Sequence, residues 1–195
     1  NDGANDIQNG IVRFIGNPEK RIKEDYLRIL RYLRFFSIYS TTAHNENVKK
    51  AIKQNISGVV SLSKERLLDE FKKIFKSGAL FKLSKDSFSN EIITLIFPQL
   101  VNLNMLNKFD KNKQNLLIKK SFDFLLALLV IDGTDNSDFF LYKFNNSNDT
   151  KNLIKFLKLN LINSKEKDFL SKKNLDKIFY FNQKSHVIDL IDFEI

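Results

Sequence analysis

The sequence predicts an all-α chain: a short amino-terminal strand remnant, then a helical neck, then an irregular helical body. Three observations carry that expectation. Apolar residues recur at helical spacing in one segment after another, as Leu67, Leu68, Phe71, Ile74 and Phe75 do. Residues suited to helix starts stand where such runs begin, Asn17 ahead of Pro18 and Ser63 ahead of Lys64 among them. Beyond Gly78 no stretch alternates strictly between apolar and polar residues, and no segment repeats at a fixed period.

Taken in order, Ile11 to Ile15 reads as a short strand between the turn-forming Asn9 and Gly10 and the following Gly16. Asn17 can cap a helix, Pro18 suits its first position, and Glu19 complements its positive end. A main helix is then expected from about Glu24 to Tyr39. At about 100° per residue, Tyr26, Ile29, Leu30, Leu33 and Phe36 share the side expected to be buried. Glu24, Asp25, Arg28, Arg31, Tyr32 and Phe35 form the opposite, presented stripe. A second helix begins at Asn45 or Asn47 and runs through Ile56 around Val48, Ala51 and Ile52. A third, capped by Ser63, spans roughly Lys64 to Lys76. Further helices are expected near residues 90–96, 115–131, 137–144, 150–159, 164–180 and 185–191. The domain reading is that residues 1–16 close a preceding domain, 17–77 form the neck and 78–195 the body. The polar interval Lys108 to Gln114 is the internal linker candidate.

Composition bounds the chemistry. With 195 residues, 43% of them hydrophobic and 19 of them Phe, the chain can bury a core. Its longest apolar run, Phe124 to Ile131, lies between Asp123 and Asp132 and is too short for a membrane span. That points to a cytoplasmic protein with no membrane partner. The polar start lacks an initiator Met, which suggests that the sequence begins inside a longer polypeptide. The absence of Cys excludes disulfides and thiolate metal sites, and His44 and His186 are too isolated for a metal cage. Both histidines are expected in surface or capping roles. A net charge of +9 favours a polyanionic partner, although AT-rich codon usage also raises Lys content. Residues 1–76 hold 15 Lys and Arg against 9 Asp and Glu, the remainder 17 against 14. All six arginines, Arg13, Arg21, Arg28, Arg31, Arg34 and Arg66, lie in the first part.

The stretch DIQNGIVRFIGNPEKRIKEDYLRILRYLRFF, Asp6 to Phe36, carries several features in order. Asp6 and Gly10 precede a strand containing Arg13; Gly16, Pro18 and Arg21 follow; then Glu24, Asp25 and Arg28 form an EDxxR motif running into Arg31 and Arg34. This composite resembles the junction between head and neck in bacterial CCA-adding tRNA nucleotidyltransferases and their poly(A) polymerase relatives. Asn17 stands where that family usually has Asp. VSLSKERLLDEFKKIF, Val60 to Phe75, is similar to the family's next neck motif, and Leu95 to Leu100 resembles more loosely its Phe-Pro-Glu-Leu element.

The residue types explain what an EDxxR motif can do. Asp25 and Arg28, three apart on one helix, would set an acceptor-only carboxylate beside a donor-only guanidinium. Cytosine offers an amino group to the acid and N3 with O2 to the guanidinium; adenine offers N6 and N1. Uracil and guanine present the reverse polarity and would leave groups unpaired. The resemblance implies that Asp25 and Arg28 act as a protein template for CTP and ATP, with Glu24 orienting Arg28. Spacing alone favours an ordinary i, i+4 ion pair between Glu24 and Arg28, and the surrounding thirty-residue resemblance is what turns the reading towards a template. Arg31, Arg34 and Arg21 are candidate contacts to phosphates or RNA, with pairing to Glu24 or to the neighbouring unit's carboxylates as the equal alternative for Arg31 and Arg34. For Arg13 and Arg21 the structural role is preferred.

In this family, phosphoryl transfer belongs to a head whose paired carboxylates bind magnesium ions. No matching pair stands in the sequence, so Mg2+ is expected only with a head domain, for which a separately encoded chain is the candidate partner, and the chain alone is expected to be inactive. Asp132, Asp135 and Asp138 read as a solvated turn, and Asp2 and Asp6 as the end of the head's last segment. Phe71, Phe75, Phe122, Phe124, Phe179 and Phe181 read as core or subunit contacts. The expected function is the base-selecting, tRNA-binding portion of a CCA-adding enzyme. The alternatives are a poly(A) polymerase fragment, a non-catalytic helical RNA-binding remnant, and a generic helical interaction domain.

Overall fold

Side-chain caps set most of the helix starts, and the apolar stripe behind each cap sets what the helix buries. The computed structural model describes residues 3–163 and 168–194. After a short helix α1 (Gly3–Gln8), Asn17 accepts a hydrogen bond from the Lys20 amide and opens α2 (Pro18–Glu24). Helix α3 (Arg28–Tyr39) follows without a side-chain cap on its own N-terminal residue. Asn45 opens α4 (Glu46–Asn55), and Ser63 opens α5 (Lys64–Lys76) by accepting from the Arg66 amide. Gly78, at φ +69, turns the chain into α6 (Ala79–Lys85), a left-handed conformation that suits glycine. Asp86 then caps α7 (Ser87–Ile96), and Asp110 caps α8 (Lys111–Ile118). Ser121 caps α9 (Phe122–Val130), followed by α10 (Asn136–Lys143), α11 (Asn148–Asn163), α12 (Lys172–Phe181) and α13 (Lys184–Glu194).

The chain divides into two compact units, Asn1–Lys119 and Lys120–Ile195. In the first, α3 packs on α5 and α6, while α2 packs on α4. Ile29, Leu30 and Leu33 of α3 are sealed, as are Phe71 and Ile74 of α5 and Leu80 of α6. The Phe71 and Phe97 rings meet with centroids 4.8 Å apart, carrying this core under α7. In the second unit the run Phe124 to Val130 is buried all round, so α9 is a central helix, packed by α10 and α11. Helix α13 closes on α11 through Val187 and Leu190.

The all-α class is what the structure shows: among the described residues there is no strand. Ile11 to Ile15 is therefore a correction. A strand needs a ladder partner, and this segment runs without regular structure, tied by the Thr41 amide donating to the Gly10 carbonyl and by the Phe14 ring stacked on Tyr32. The expected helix from Glu24 to Tyr39 is broken at Asp25 to Leu27. On α3 the buried set is Ile29, Leu30, Tyr32, Leu33 and Ser37, so Tyr32 moves from the presented stripe to the core. Residues 115–131 form the end of α8 and all of α9, separated at Ser121, whose hydroxyl accepts from the Phe124 amide. Of the expected helix at 164–180, residues 164–167 lie outside the described residues, and α12 covers 172–181. Helix α6 was not expected at all.

Candidate functional site

The Asp25 to Leu27 break comes from side chains competing with the helix ladder. Asp25 has extended backbone angles, and its Oδ1 accepts from the Leu27 amide at 3.1 Å, an Asx-type turn that starts α3 afresh. Leu27 is buried, and the Tyr26 ring sits so close over Gly58 that a Cβ there would lie 2.1 Å from it. Only glycine leaves room for that ring. The junction between α2 and α3 is thereby anchored on the turn that leads from α4 towards α5.

Glu24 ends α2 and Arg28 begins α3, so the motif spans two helices rather than one. Arg28 Nη1 donates to Glu24 Oε2 at 2.6 Å and to the Arg21 carbonyl at 2.9 Å. Arg21 Nη1 donates to the same Glu24 oxygen at 2.6 Å. The Arg28 side chain is 26% exposed and that of Asp25 21%, so both are half-buried. Asp25 receives Arg66 Nη2 at 3.1 Å on Oδ1 and 3.0 Å on Oδ2. Arg31 Nη1 stands 3.9 Å from Asp25, and its Nε 3.8 Å from Glu70.

Glu70, on the inner side of α5, is 1% exposed and anchors the rest of the basic cluster. Arg34 Nε donates to its Oε1 at 2.7 Å, and Lys73 Nζ lies 3.5 Å from Oε2. The structure thus gathers Glu24, Asp25, Arg28 and Arg21 at the junction, leaves Arg31 loosely shared between two acids, and turns Arg34 inward. Arg66, Glu70 and Lys73 were not anticipated as site neighbours. One signal was present: Glu70 falls on the same helical stripe as Leu67, Phe71 and Ile74, where a charge demands partners.

His44 is a second correction, since it is buried rather than a surface residue. Its ring stacks on Phe36 at 3.5 Å, Nε2 lies 2.9 Å from Asp86 and 3.2 Å from Ser89, and Nδ1 lies 2.8 Å from the Tyr32 hydroxyl. Because an ionised carboxylate only accepts, Nε2 carries the proton and Nδ1 accepts from Tyr32. Burial holds the His44 pKa below its ordinary value, against the pull of Asp86. For Asp86 burial pushes upward, but bonds from Ser89 and His44 win and its pKa is lowered. Burial, then the Asp86 charge, raise the Tyr32 phenol.

Elsewhere, an open cleft of about 1000 Å³ lies between the amino-terminal segment and the far end of α3, lined by Ile7, Val12, Phe14, Phe35 and Tyr39 among others. Glu24, Asp25 and Arg28 take no part in it. Asp6 pairs with Arg13 at 2.8 Å, whereas Asp2 lies outside the described residues. Among the described residues no group of three or more His, Asp or Glu could hold a metal ion. Asp132 accepts from the Thr134 amide and hydroxyl, and Asp138 pairs with Lys158. Phe71, Phe75 and Phe124 are core, but Phe181 is exposed beside Tyr180. Among the described residues no helix is long and apolar enough to cross a membrane.

Charge follows the structural division. Residues 1–119 hold 21 Lys and Arg against 12 Asp and Glu; residues 120–195 hold 11 against 11. The whole surplus of +9 belongs to the unit that contains the junction.

Residues 45–103 match the family model described as "Probable RNA and SrmB-binding site of polymerase A". The CCA tRNA nucleotidyltransferase 1, mitochondrial, of Mus musculus is 35% identical over 123 residues, covering 57% of this chain and 26% of that protein. The Homo sapiens protein of the same name is 34% identical over 114 residues, with the same coverage. The CCA-adding enzyme of Staphylococcus haemolyticus is 27% identical over 188 residues, covering 93% of this chain and 42% of that enzyme. The chain thus spans about a quarter of the mammalian relatives and under half of the staphylococcal one. Together with the ordered motifs from Asp6 to Phe75, these matches support a likeness to the neck and body region of the CCA-adding enzyme and poly(A) polymerase family.

Proposed function

We propose that this chain is the base-selecting and tRNA-binding portion of a CCA-adding tRNA nucleotidyltransferase, which adds CMP and AMP to tRNA 3' ends when combined with a head domain. The observation that carries the reading is the half-buried junction where the Asp25 carboxylate and the Arg28 guanidinium stand in one constellation. Asp25 would accept the amino group of cytosine or adenine, and Arg28 would donate to the neighbouring ring acceptors. Glu24, bonded to both Arg28 and Arg21, supplies the orientation. Uracil would set a carbonyl against Asp25 and an N–H against Arg28, leaving polar groups unpaired in a partly desolvated site.

Phosphoryl transfer is assigned to the head, where Mg2+ would act on CTP or ATP. The positive surplus of residues 1–119, together with the RNA-binding description of the family matched at 45–103, supports tRNA contact on this unit. Arg31 is the better candidate for a phosphate contact than Arg34, which is committed to Glu70. The domain reading keeps residues 17–77 as the neck and assigns a cytoplasmic location.

The test pairs the chain with a head fragment from a CCA-adding relative and measures CTP, ATP and UTP incorporation. Asp25→Asn replaces an acceptor with a donor and should cost at least about tenfold in CTP and ATP use relative to UTP. Retention of the wild-type ranking in that variant would remove Asp25 from the template. The family model's own description names polymerase A, so poly(A) addition is the second reading. Sequencing the extended 3' ends separates a CCA end from an A tract.

A further inference from the structure

We infer that Arg66 is an internal occupant of the Asp25 carboxylate, a side chain that cytosine or adenine must displace before its amino group can be read. The inference rests on the template reading above and adds to it a residue of α5, outside the EDxxR motif.

The two halves of the junction are not equally prepared for a ligand. Among the described residues Arg28 bonds through Nη1 alone, to Glu24 and the Arg21 carbonyl, which leaves Nη2 and Nε to donate to a base edge. Asp25 is committed on both oxygens. Oδ1 accepts from the Leu27 amide and from Arg66 Nη2, and Oδ2 accepts from the same Nη2. The Leu27 bond is local and belongs to the turn that starts α3. The Arg66 bonds reach across from another helix and end on a side chain that is 48% exposed, so that guanidinium has an open route into solvent.

Among the described residues Asp25 is the only acceptor of the Arg66 guanidinium. If Arg66 leaves, the carboxylate keeps the Leu27 amide bond and has Arg31 at 3.9 Å, so its orientation survives. An amino group from cytosine or adenine replaces the Arg66 donor with another donor. A uracil carbonyl cannot, because it offers Asp25 nothing to accept. Arg66 therefore taxes only the bases that the template reads, in the way that any competing internal conformation lowers apparent affinity.

The experiment uses the full chain and measures equilibrium binding of CTP, ATP and UTP to wild type, Arg66→Met, Arg66→Gln and the double variant Arg66→Met with Asp25→Asn. Thermal unfolding of each variant establishes that it is folded. The triphosphate loses one neighbouring positive charge equally for all three nucleotides, so the diagnostic quantity is the ratio of CTP or ATP affinity to UTP affinity. That ratio should rise roughly threefold in Arg66→Met and Arg66→Gln, as expected for release of a partly exposed ion pair, and should collapse in the double variant. A ratio that is unchanged or lower in both folded single variants overturns the inference and makes Arg66 a positioning residue instead. If wild type itself shows no preference for CTP and ATP over UTP, the template reading fails, and the inference about Arg66 falls with it.

Discussion

Glu70 lies between Leu67 and Phe71 on the inner side of α5, where a charge survives only if it is partnered. Its partners are Arg34 at 2.7 Å, Lys73 at 3.5 Å and Arg31 at 3.8 Å. Glu70→Gln keeps the shape and removes the charge, leaving the mostly buried Arg34 without a counterion. The expected cost is about 1 to 3 kcal/mol in urea unfolding; an unchanged midpoint would mean that the cluster adds nothing to stability. His44 gives a pH prediction. Its folded pKa is held below the ordinary 6.5, so the folded state disfavours the imidazolium. The stability contributed by the neutral ring is complete above that value and is lost as pH falls through the depressed folded pKa. Asp86, also depressed, loses its contribution in the same direction at lower pH. Melting temperature should therefore be flat above about pH 7 and fall on acidification. His44→Phe should melt lower at neutral pH but with a flatter profile between about pH 7 and 5; an equally steep decline would acquit His44. The sequence neighbours of His44 are Thr, Ala, Asn and Glu, which hid its burial. Its partners Tyr32 and Asp86 are fixed only by the fold.

Helices α4 and α5 could be read from sequence because cap and stripe agree within each. Asn45 and Ser63 stand at their starts, and Val48, Ala51, Ile52 and the Leu67 to Phe75 set all turned out buried. The junction of α2 and α3 could not be read the same way. Apolar spacing continues across Glu24 to Tyr39 as though one helix ran through. What interrupts it is the seat of the Tyr26 ring on Gly58, a residue far along the chain, together with the Asp25 bond to the Leu27 amide. The motif residues were legible as a set, and their split over two helices was not. The strand at Ile11 to Ile15 failed for a related reason, since a ladder partner is a property of the fold. Gly58→Ala tests the seat: its methyl would collide with the ring, and the expected cost is about 1 to 3 kcal/mol. If Asp25 reads the base as proposed, nucleotide selectivity should weaken with it, because displacing Tyr26 also moves Asp25. Normal stability with normal selectivity would show that the ring finds another position without disturbing the proposed template.

At the scale of the whole molecule, charge and not helix content separates the two units. The Lys and Arg surplus lies entirely in residues 1–119, while residues 120–195 are balanced. A division at residue 76 blurs this, because the modest surplus beyond it falls wholly before residue 120. Nucleic-acid affinity driven by counterion release scales with the cations that meet phosphates, so its salt dependence should trace to the first unit. Lys50, Lys82 and Lys85 are exposed within the 45–103 match, and Lys172, Lys173 and Lys177 are exposed on α12. Changing each trio to Gln removes the same charge from the full chain. The first triple variant should bind tRNA more weakly, with the slope of log affinity against log salt reduced by about 1 to 2. The second should change little, apart from any stacking supplied by the exposed Tyr180 and Phe181, which is insensitive to salt. Equal loss of slope in both variants would place the phosphate contacts on the second unit as well, and would require a local basic surface that the balanced charge of residues 120–195 conceals.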